Sequence, residues 1–362
     1  MAGSFLIAAG GTGGHLFPGI AVADELVRRD PQARVVFAGT ARGLETRLVP
    51  KAGYGLELLP ILPLNGIGPM RLAKGLAALP WGLVRAAGLV LRLRPGAVLG
   101  IGGYAGGPVT LLAALLGVRA VLLEPNAKPG FTNRVLRPFV AAAACAYDEA
   151  REYFGKKGVL TGNPVRGGFA ALQAKEHREP LTLLAFGGSQ GSRVLNDALV
   201  AALPRLPAAE RLRIVHQTGP AMRDAVLAAY RSAGREAEVV AFLDDMERRF
   251  AEADLVLSRS GATTCAELTA AGKAALLVPF AGAAEDHQRT NAQALARAGA
   301  ARVLEEKDLT GESLAAAVAG LLDDESALRA MEQAARRLGR PDAAARVAEL
   351  LLGTADAGVA RV

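Results

Sequence analysis

LIAAGGTGGHLFPG, residues Leu6–Gly19, and LLAFGGSQGSRVLN, residues Leu183–Asn196, share one layout: an apolar run, a glycine-rich turn, then the start of a helix. Glycine directly after a strand lets backbone amides approach a ligand closely. The following helix start adds unpaired N–H groups and the positive end of a dipole. Phosphate is the natural ligand of such a turn. A turn that merely packs tightly would give either stretch alone, but two in matching positions favour the ligand.

Each stretch heads an alternating series. FLIAAG leads to a helix expected at about Phe17–Arg29. ARVVFAG, GLELLPI, AVLGIGG, AVLLEPN and the run near FVAAAACAY follow as strands. After GNPVR and the charged stretch KEHREP, the pattern restarts with LTLLAFGG and continues through RIVHQTG, AEVVAFL, DLVLSRSG and AALLVPF. Alternating strands and helices build parallel sheets covered on both faces. The fold class expected is therefore α/β, two doubly wound Rossmann-like domains with strand ends facing a cleft. Boundaries are expected at 1–163 and 164–340, with a joint near Asn163–Glu179. A last helical stretch, about Ala327–Leu352, leads into a tail over 341–362 expected to pack back across the junction.

Composition narrows the classes. At 362 residues the chain exceeds one ordinary core, and the 51% of apolar residues excludes disorder. The two cysteines, Cys145 and Cys265, form neither a CxxC nor a Cys/His cluster, so they read as packing residues. Pro95–Val118 carries no charge, yet its glycines break it into a strand, a loop (YAGGP) and a helix (VTLLAALLG). A buried strand and helix fit it better than a bilayer span. The first basic residue is Arg28, so no basic region opens a secretory signal and a cytoplasmic protein is expected.

A net charge of +7 calls for an anionic partner. No Arg/Lys stripe interleaves with aromatics and no nucleic-acid motif appears, which ranks nucleic acid low. Met70–Arg94 instead spaces Leu72, Leu76 and Leu79 as a helical stripe beside Trp81, with Arg71, Lys74 and Arg85 on another side. Such a helix suits an anionic membrane surface, although on pattern alone a helix with its stripe in the core is the commoner case.

The loops carry the candidate chemistry. GxxxxGK[ST] is absent, GGTGGH does not have GxGxxG spacing, and Gly39 and Thr40 stand where a dinucleotide fold places its ribose-binding acid. His15, at a helix start, can take a proton from a hydroxyl or bind a phosphate, and the helix dipole favours its neutral form. Glu267 sits in SRSGATTCAEL after a strand, and His287, Gln288 and Asn291 follow AALLVPF. These are carboxyl ends of strands, where open α/β sheets bind ligands. No paired-carboxylate motif for a metal appears, so metal-independent chemistry without a cofactor is expected.

Taken in order, GGTGGHLFPGIAVA, EPNAKPGFTNR, GNPVR, GGSQGS, SRSGATTCAEL and DHQRTNA resemble glycosyltransferase family 28, the MurG-type N-acetylglucosaminyltransferases of bacterial cell-wall synthesis. The resemblance implies a GT-B fold and inverting transfer of GlcNAc from UDP-GlcNAc to the 4-hydroxyl of MurNAc in undecaprenyl-linked lipid I, giving lipid II. It places the enzyme peripherally on the cytoplasmic face of the inner membrane, with other cell-wall synthesis proteins as partners. It implies that Thr12, Gly13 and Gly14 lie against a diphosphate, and that Asn126 and Arg166 reach across the cleft. Ser189, with Gln190, would hold the donor phosphates. Leu243 would read the uracil through its backbone, and Glu267 would hold the ribose. Ala262, Thr263, Thr264, His287 and Gln288 would surround the GlcNAc. A GT-B enzyme acting on another lipid and a UDP-GlcNAc epimerase are the alternatives.

Overall fold

A computed structural model describes residues 3–11, 13–41, 43–61, 69–188 and 190–354, with the backbone alone over 69–79 and 104–105. The chain divides into two compact units, residues 1–166 with 340–362, and residues 167–339.

In the first unit, β1 (Ser4–Ala8), β2 (Arg34–Gly39), β3 (Gly55–Leu58), β4 (Ala97–Gly100), β5 (Arg119–Glu124), β6 (Ala142–Cys145) and β7 (Gly158–Leu160) form one parallel sheet. Its order is β3-β2-β1-β4-β5-β6-β7. The helices between them are α1 (Gly13–Arg29), α2 (Glu45–Lys51), α3 (Pro69–Leu93), α4 (Gly103–Leu115), α5 (Phe131–Leu136) and α6 (Asp148–Phe154). The inner strands are apolar through their middles because both faces are covered, with charged residues such as Arg34, Arg119 and Glu124 only at their ends. Ile7, Leu99 and Val121 pack into one layer with Leu16 and Val22 of α1. Leu6 and Val98, one residue along and therefore on the opposite face, pack with Ala86, Leu89 and Val90 of α3 and Val109 of α4.

The second unit repeats the plan. α7 (Gly167–Ala170) precedes β8 (Leu181–Phe186), β9 (Leu212–Gln217), β10 (Glu238–Val240), β11 (Leu255–Ser258), β12 (Ala275–Leu277) and β13 (Arg302–Val303), in the order β10-β9-β8-β11-β12-β13. α8 (Arg193–Ala202), α9 (Arg223–Ser232), α10 (Met246–Glu252), α11 (Ala262–Ala271), α12 (His287–Arg297), α13 (Gly311–Leu322) and α14 (Glu325–Leu338) surround it.

Both sheets begin on an inner strand, run outward on one side, then return to pair on the other. β1 lies between β2 and β4, and β8 between β9 and β11. The carboxyl ends of β1 and β8 are thus topological switch points, where loops diverge and leave room for a ligand. The two glycine-rich turns sit at these ends.

Three local expectations change. Helix α1 starts at Gly13 rather than near Phe17, so the glycines themselves supply its first turn. YAGGP is helix rather than loop: α4 begins at Gly103. The small residues there let it press on the sheet, since a Cβ on Gly106 would stand 3.2 Å from the Ala8 carbonyl oxygen. The last helical stretch is two helices, broken at Gly339–Pro341 into α14 and α15 (Ala343–Leu352). Helix α15 belongs to the first unit, where Val347, Ala348, Leu350 and Leu351 join the layer around Ile7.

Candidate functional site

At the first switch point two glycine-rich loops meet backbone to backbone. A Cβ on Gly103, whose φ is +74°, would stand 2.6 Å from the Gly10 carbonyl oxygen, so only glycine permits this approach. His15 lies in the first turn of α1, with Nδ1 3.1 Å from the Gly10 carbonyl oxygen. A carbonyl can only accept, so Nδ1 carries the proton and the neutral ring turns its lone pair to Nε2. That nitrogen faces Gly102, 3.6 Å from where a Cβ would be. The tautomer is the one a base acting through Nε2 requires.

Beneath the loop lies a carboxylate that sequence reasoning missed. Glu45, fully buried at the start of α2, accepts from the Gly11 amide at 3.1 Å and from the amide and hydroxyl of Thr40, both at 2.8 Å. It pins the ends of β1 and β2 together. Glu124, buried at the end of β5, does the same for the next loop. Its oxygens accept from the amide and side chain of Asn126 at 3.1 and 3.2 Å, from the Gly130 amide at 2.9 Å and from Asn133 Nδ2 at 2.9 Å. Burial pushes its carboxyl up, against the pull of those donors. Asn126 is therefore held in place at a strand end. Arg166 follows β7, its guanidinium 4.9 Å from the Phe17 ring centroid, so it shares the carboxyl edge of this sheet with His15 and Asn126. Thr12 lies outside the described residues; Gly13 and Gly14 form the first turn of α1.

In the second unit the turn after β8 closes through the Gly191 amide, which donates to the Gly188 carbonyl at 2.9 Å. Ser192 then caps α8, its hydroxyl accepting from the Leu195 amide at 3.4 Å. Ser189 lies outside the described residues; Gln190 is exposed beside it. Leu243, buried, follows β10 in the next loop. After β11, Gly261 precedes α11, so Ala262, Thr263 and Thr264 occupy a helix start whose amides have no partner within the helix. Glu267 is four residues beyond Thr263, hence on the same helix face, and buried. After β12, the Gln288 side chain accepts from the Phe280 amide at 3.0 Å, which fixes its orientation and leaves its NH2 as the end available to a ligand. His287 opens α12 beside it.

Arg259 ties these loops together and was not anticipated. Its Nε donates to the Ser192 hydroxyl at 3.1 Å, Nη1 to the Val278 and Pro279 carbonyls at 3.2 Å each, and Nη2 to Glu306 at 3.1 Å. Glu306 also accepts from the Ala281 amide at 2.7 Å. Burial alone would raise that carboxyl, but the Ala281 amide and Arg259 hold it below the usual carboxylate range. A charged residue directly after a buried strand was the available signal. Gln190, Leu243, Ala262, Thr263, Thr264, Glu267, His287 and Gln288 thus share the carboxyl edge of the second sheet.

Among the described residues no helix is long and apolar enough to cross a membrane. On α3, Trp81 is 59% exposed, with the Arg85 guanidinium 6.0 Å from its ring centroid. The side chains of Arg71, Leu72, Lys74, Leu76 and Leu79 lie outside the described residues. Both cysteines are buried, as packing residues are.

Comparison with known proteins agrees with this geometry. Residues 5–145 match the glycosyltransferase family 28 N-terminal domain, and residues 182–347 the C-terminal domain of the same family. Over 349 residues the chain is 47% identical to the UDP-N-acetylglucosamine--N-acetylmuramyl-(pentapeptide) pyrophosphoryl-undecaprenol N-acetylglucosamine transferase of Myxococcus xanthus, covering 95% of this chain and 91% of the relative. The crystal structure of Acinetobacter baumannii MurG is similar with a TM-score of 0.79 at 32% identity, over 98% of this chain and 100% of that one. A UDP-N-acetylglucosamine 2-epimerase reaches a TM-score of 0.69 at 15% identity, over 97% and 96% of the chains, a likeness of fold alone. With both domain models matched and full-length relatives this similar, the chain belongs to glycosyltransferase family 28.

Proposed function

We propose that this enzyme transfers GlcNAc from UDP-GlcNAc to the 4-hydroxyl of MurNAc in undecaprenyl-diphospho-MurNAc-pentapeptide, releasing UDP. The observation that carries the reading is near full-length identity of 47% to a transferase named for that reaction. The epimerase alternative rests on fold alone.

The residues supply the chemistry as follows. The acceptor hydroxyl attacks the anomeric carbon as the bond from that carbon to the diphosphate oxygen breaks, so configuration inverts. Its proton passes to Nε2 of His15, whose other nitrogen is committed to the Gly10 carbonyl. The electron pair leaves with UDP, whose charge meets the amides of the second glycine loop and the start of α8, with Ser189 and Gln190. Glu267 accepts from the ribose hydroxyls, the Leu243 backbone reads the uracil, and Ala262, Thr263, Thr264, His287 and Gln288 contact the sugar. On the first unit, Thr12, Gly13, Gly14, Asn126 and Arg166 bind the diphosphate-bearing acceptor. The same diphosphate chemistry leaves His15 a second role as a phosphate ligand.

A membrane-anchored acceptor requires an enzyme that touches the cytoplasmic leaflet, and α3 has the make-up for it. Trp81 and Val84 are exposed, and basic residues flank them. Incubation with labelled UDP-GlcNAc and a lipid I analogue tests the reaction. A labelled disaccharide on the lipid is expected; label released as a free epimerised sugar, with no lipid product, would overturn it.

A further inference from the structure

Inside the second unit, a polar chain runs from α9 to the loop expected to hold the donor's phosphates. Tyr230, His216 and Asn196 are each about 1% exposed. The Tyr230 hydroxyl lies 3.3 Å from His216 Nδ1, and His216 Nε2 lies 3.1 Å from Asn196 Oδ1. Asn196 Nδ2 donates to the Thr218 carbonyl at 2.9 Å. That last bond fixes the amide, so Oδ1 faces the imidazole and Nε2 must carry the proton; Nδ1 then accepts from Tyr230. Burial holds the imidazole neutral, with its pKa pushed down to about 4.

The Thr218 end of this chain reaches the donor site. A Cβ on Gly191 would stand 1.9 Å from the Thr218 carbonyl oxygen, and one on Gly219 would stand 2.1 Å from the Gln190 carbonyl oxygen. The turn after β8 and the turn after β9 are therefore interlocked, backbone in backbone. What fixes the Thr218 carbonyl fixes Gln190 and Gly191. The neighbouring residue extends the effect, because Gln217 Nε2 donates to the Ala241 carbonyl at 3.0 Å, two residues before Leu243.

We propose that His216 is a positioning residue for the donor nucleotide: its Nε2–H orients Asn196, which clamps Thr218 and so sets the glycine loop that receives the diphosphate. It touches no substrate. The inference rests on the donor reading given above, and it deepens that reading by naming what holds the loop in register. Without the Nε2 donor, Asn196 Oδ1 is left buried without a partner and the amide is free to turn.

The test compares His216→Phe, which keeps a ring but has no donor, with His216→Gln, whose Nε2 can still donate. UDP is the probe, with affinity by calorimetry and donor and acceptor KM from the transfer assay. His216→Phe is expected to weaken UDP binding and raise the donor KM by about tenfold, with the acceptor KM unchanged, and His216→Gln to restore most of the loss. Hydrogen exchange on the full chain should show faster exchange at Gln190–Ser192 and Gly219 in His216→Phe. Should that variant fail to fold, Tyr230→Phe, which removes only the bond to Nδ1, is expected to raise the same exchange rates and the donor KM by about twofold. Equal UDP affinity and donor KM in a folded His216→Phe, or in Tyr230→Phe if it is the only folded variant, would overturn the proposal. Wild-type protein that binds no UDP would instead overturn the donor reading itself.

Discussion

His177 Nδ1 lies 2.7 Å from Asp254 Oδ1, and both side chains are buried. His177 belongs to KEHREP, the charged stretch between the two alternating series, so that stretch is pinned to the second unit. Asp254 also accepts from Lys175 at 2.5 Å and from the Thr182 amide at 2.7 Å, while Glu332 of α14 stands 3.4 Å from His177 Nε2. The Asp254 carboxylate, then Glu332, raise the His177 pKa from 6.5 to about 9. A group whose pKa is raised on folding stabilises fully below its unfolded value and loses that contribution as pH rises through the folded one. His177→Ala is therefore expected to cost roughly 2 to 3 kcal/mol at pH 6 and clearly less at pH 10. Urea midpoints of both proteins at the two pH values measure it; an equal difference at both would contradict the charged pairing.

Glu124→Gln is expected to destabilise the first unit by about 1.5 to 3 kcal/mol, because one carboxylate oxygen becomes an NH2 facing donors. Either Asn126 or the pair Gly130 and Asn133 then loses its acceptor. Loss of transfer should exceed what the drop in folded fraction explains, since Asn126 is released. Full specific activity of the folded variant would show that Asn126 needs no such support.

The contrast between Glu124 and Glu267 shows where sequence reading stops. Strand–glycine–helix order and strands with mainly apolar centres made both sheets legible, because a strand buried on two faces favours that composition. The short outer strands β7 and β13 were missed, since three residues of GVL and two of RV carry no periodicity. The strand-end positions of the candidate residues were legible through their motifs. Glu45, Glu124 and Arg259 were not, because a supporting carboxylate or guanidinium is defined by donors and acceptors that converge only after folding. The Arg259 partners span Ser192 to Glu306 in the chain.

Glu267→Ala is expected to raise the KM for UDP-GlcNAc roughly ten- to a hundredfold with little change in acceptor KM. A hydrogen bond from a ribose hydroxyl to a buried carboxylate is worth about 1.5 to 3 kcal/mol. Steady-state kinetics with each substrate varied decide it, and an unchanged donor KM in folded protein would remove the assigned role.

His15→Ala separates the two roles open to that residue. As a base, its loss should lower kcat by about 10² to 10⁴, leave UDP binding intact and abolish the acidic limb of the pH profile. If a diphosphate affinity falls instead while the acidic limb survives, His15 is a phosphate ligand.

Exposed apolar residues on α3 and α5 carry the membrane proposal. Helix α4 packs against both α3 and α5. Trp81 and Val84 on α3 and Phe131 and Val135 on α5 are all at least half exposed, although each is apolar. Arg85 lies by the Trp81 ring, and Arg71 and Lys74 are on the preceding turns of α3. Each cation near an anionic leaflet contributes about 1 kcal/mol, so replacing Arg71, Lys74 and Arg85 together by Ala should weaken vesicle binding by on the order of a hundredfold. High salt should mimic the loss in wild type, because surface charges act only within a Debye length. Turnover of a short, water-dispersed acceptor should hardly change, since the reacting groups lie on the glycine loops; turnover of the long-chain acceptor in vesicles should fall with binding. Co-sedimentation with phosphatidylglycerol vesicles over a salt series, beside both activity assays, makes the comparison. Equal sedimentation of the two proteins at low salt would assign the basic surplus of this chain to another face.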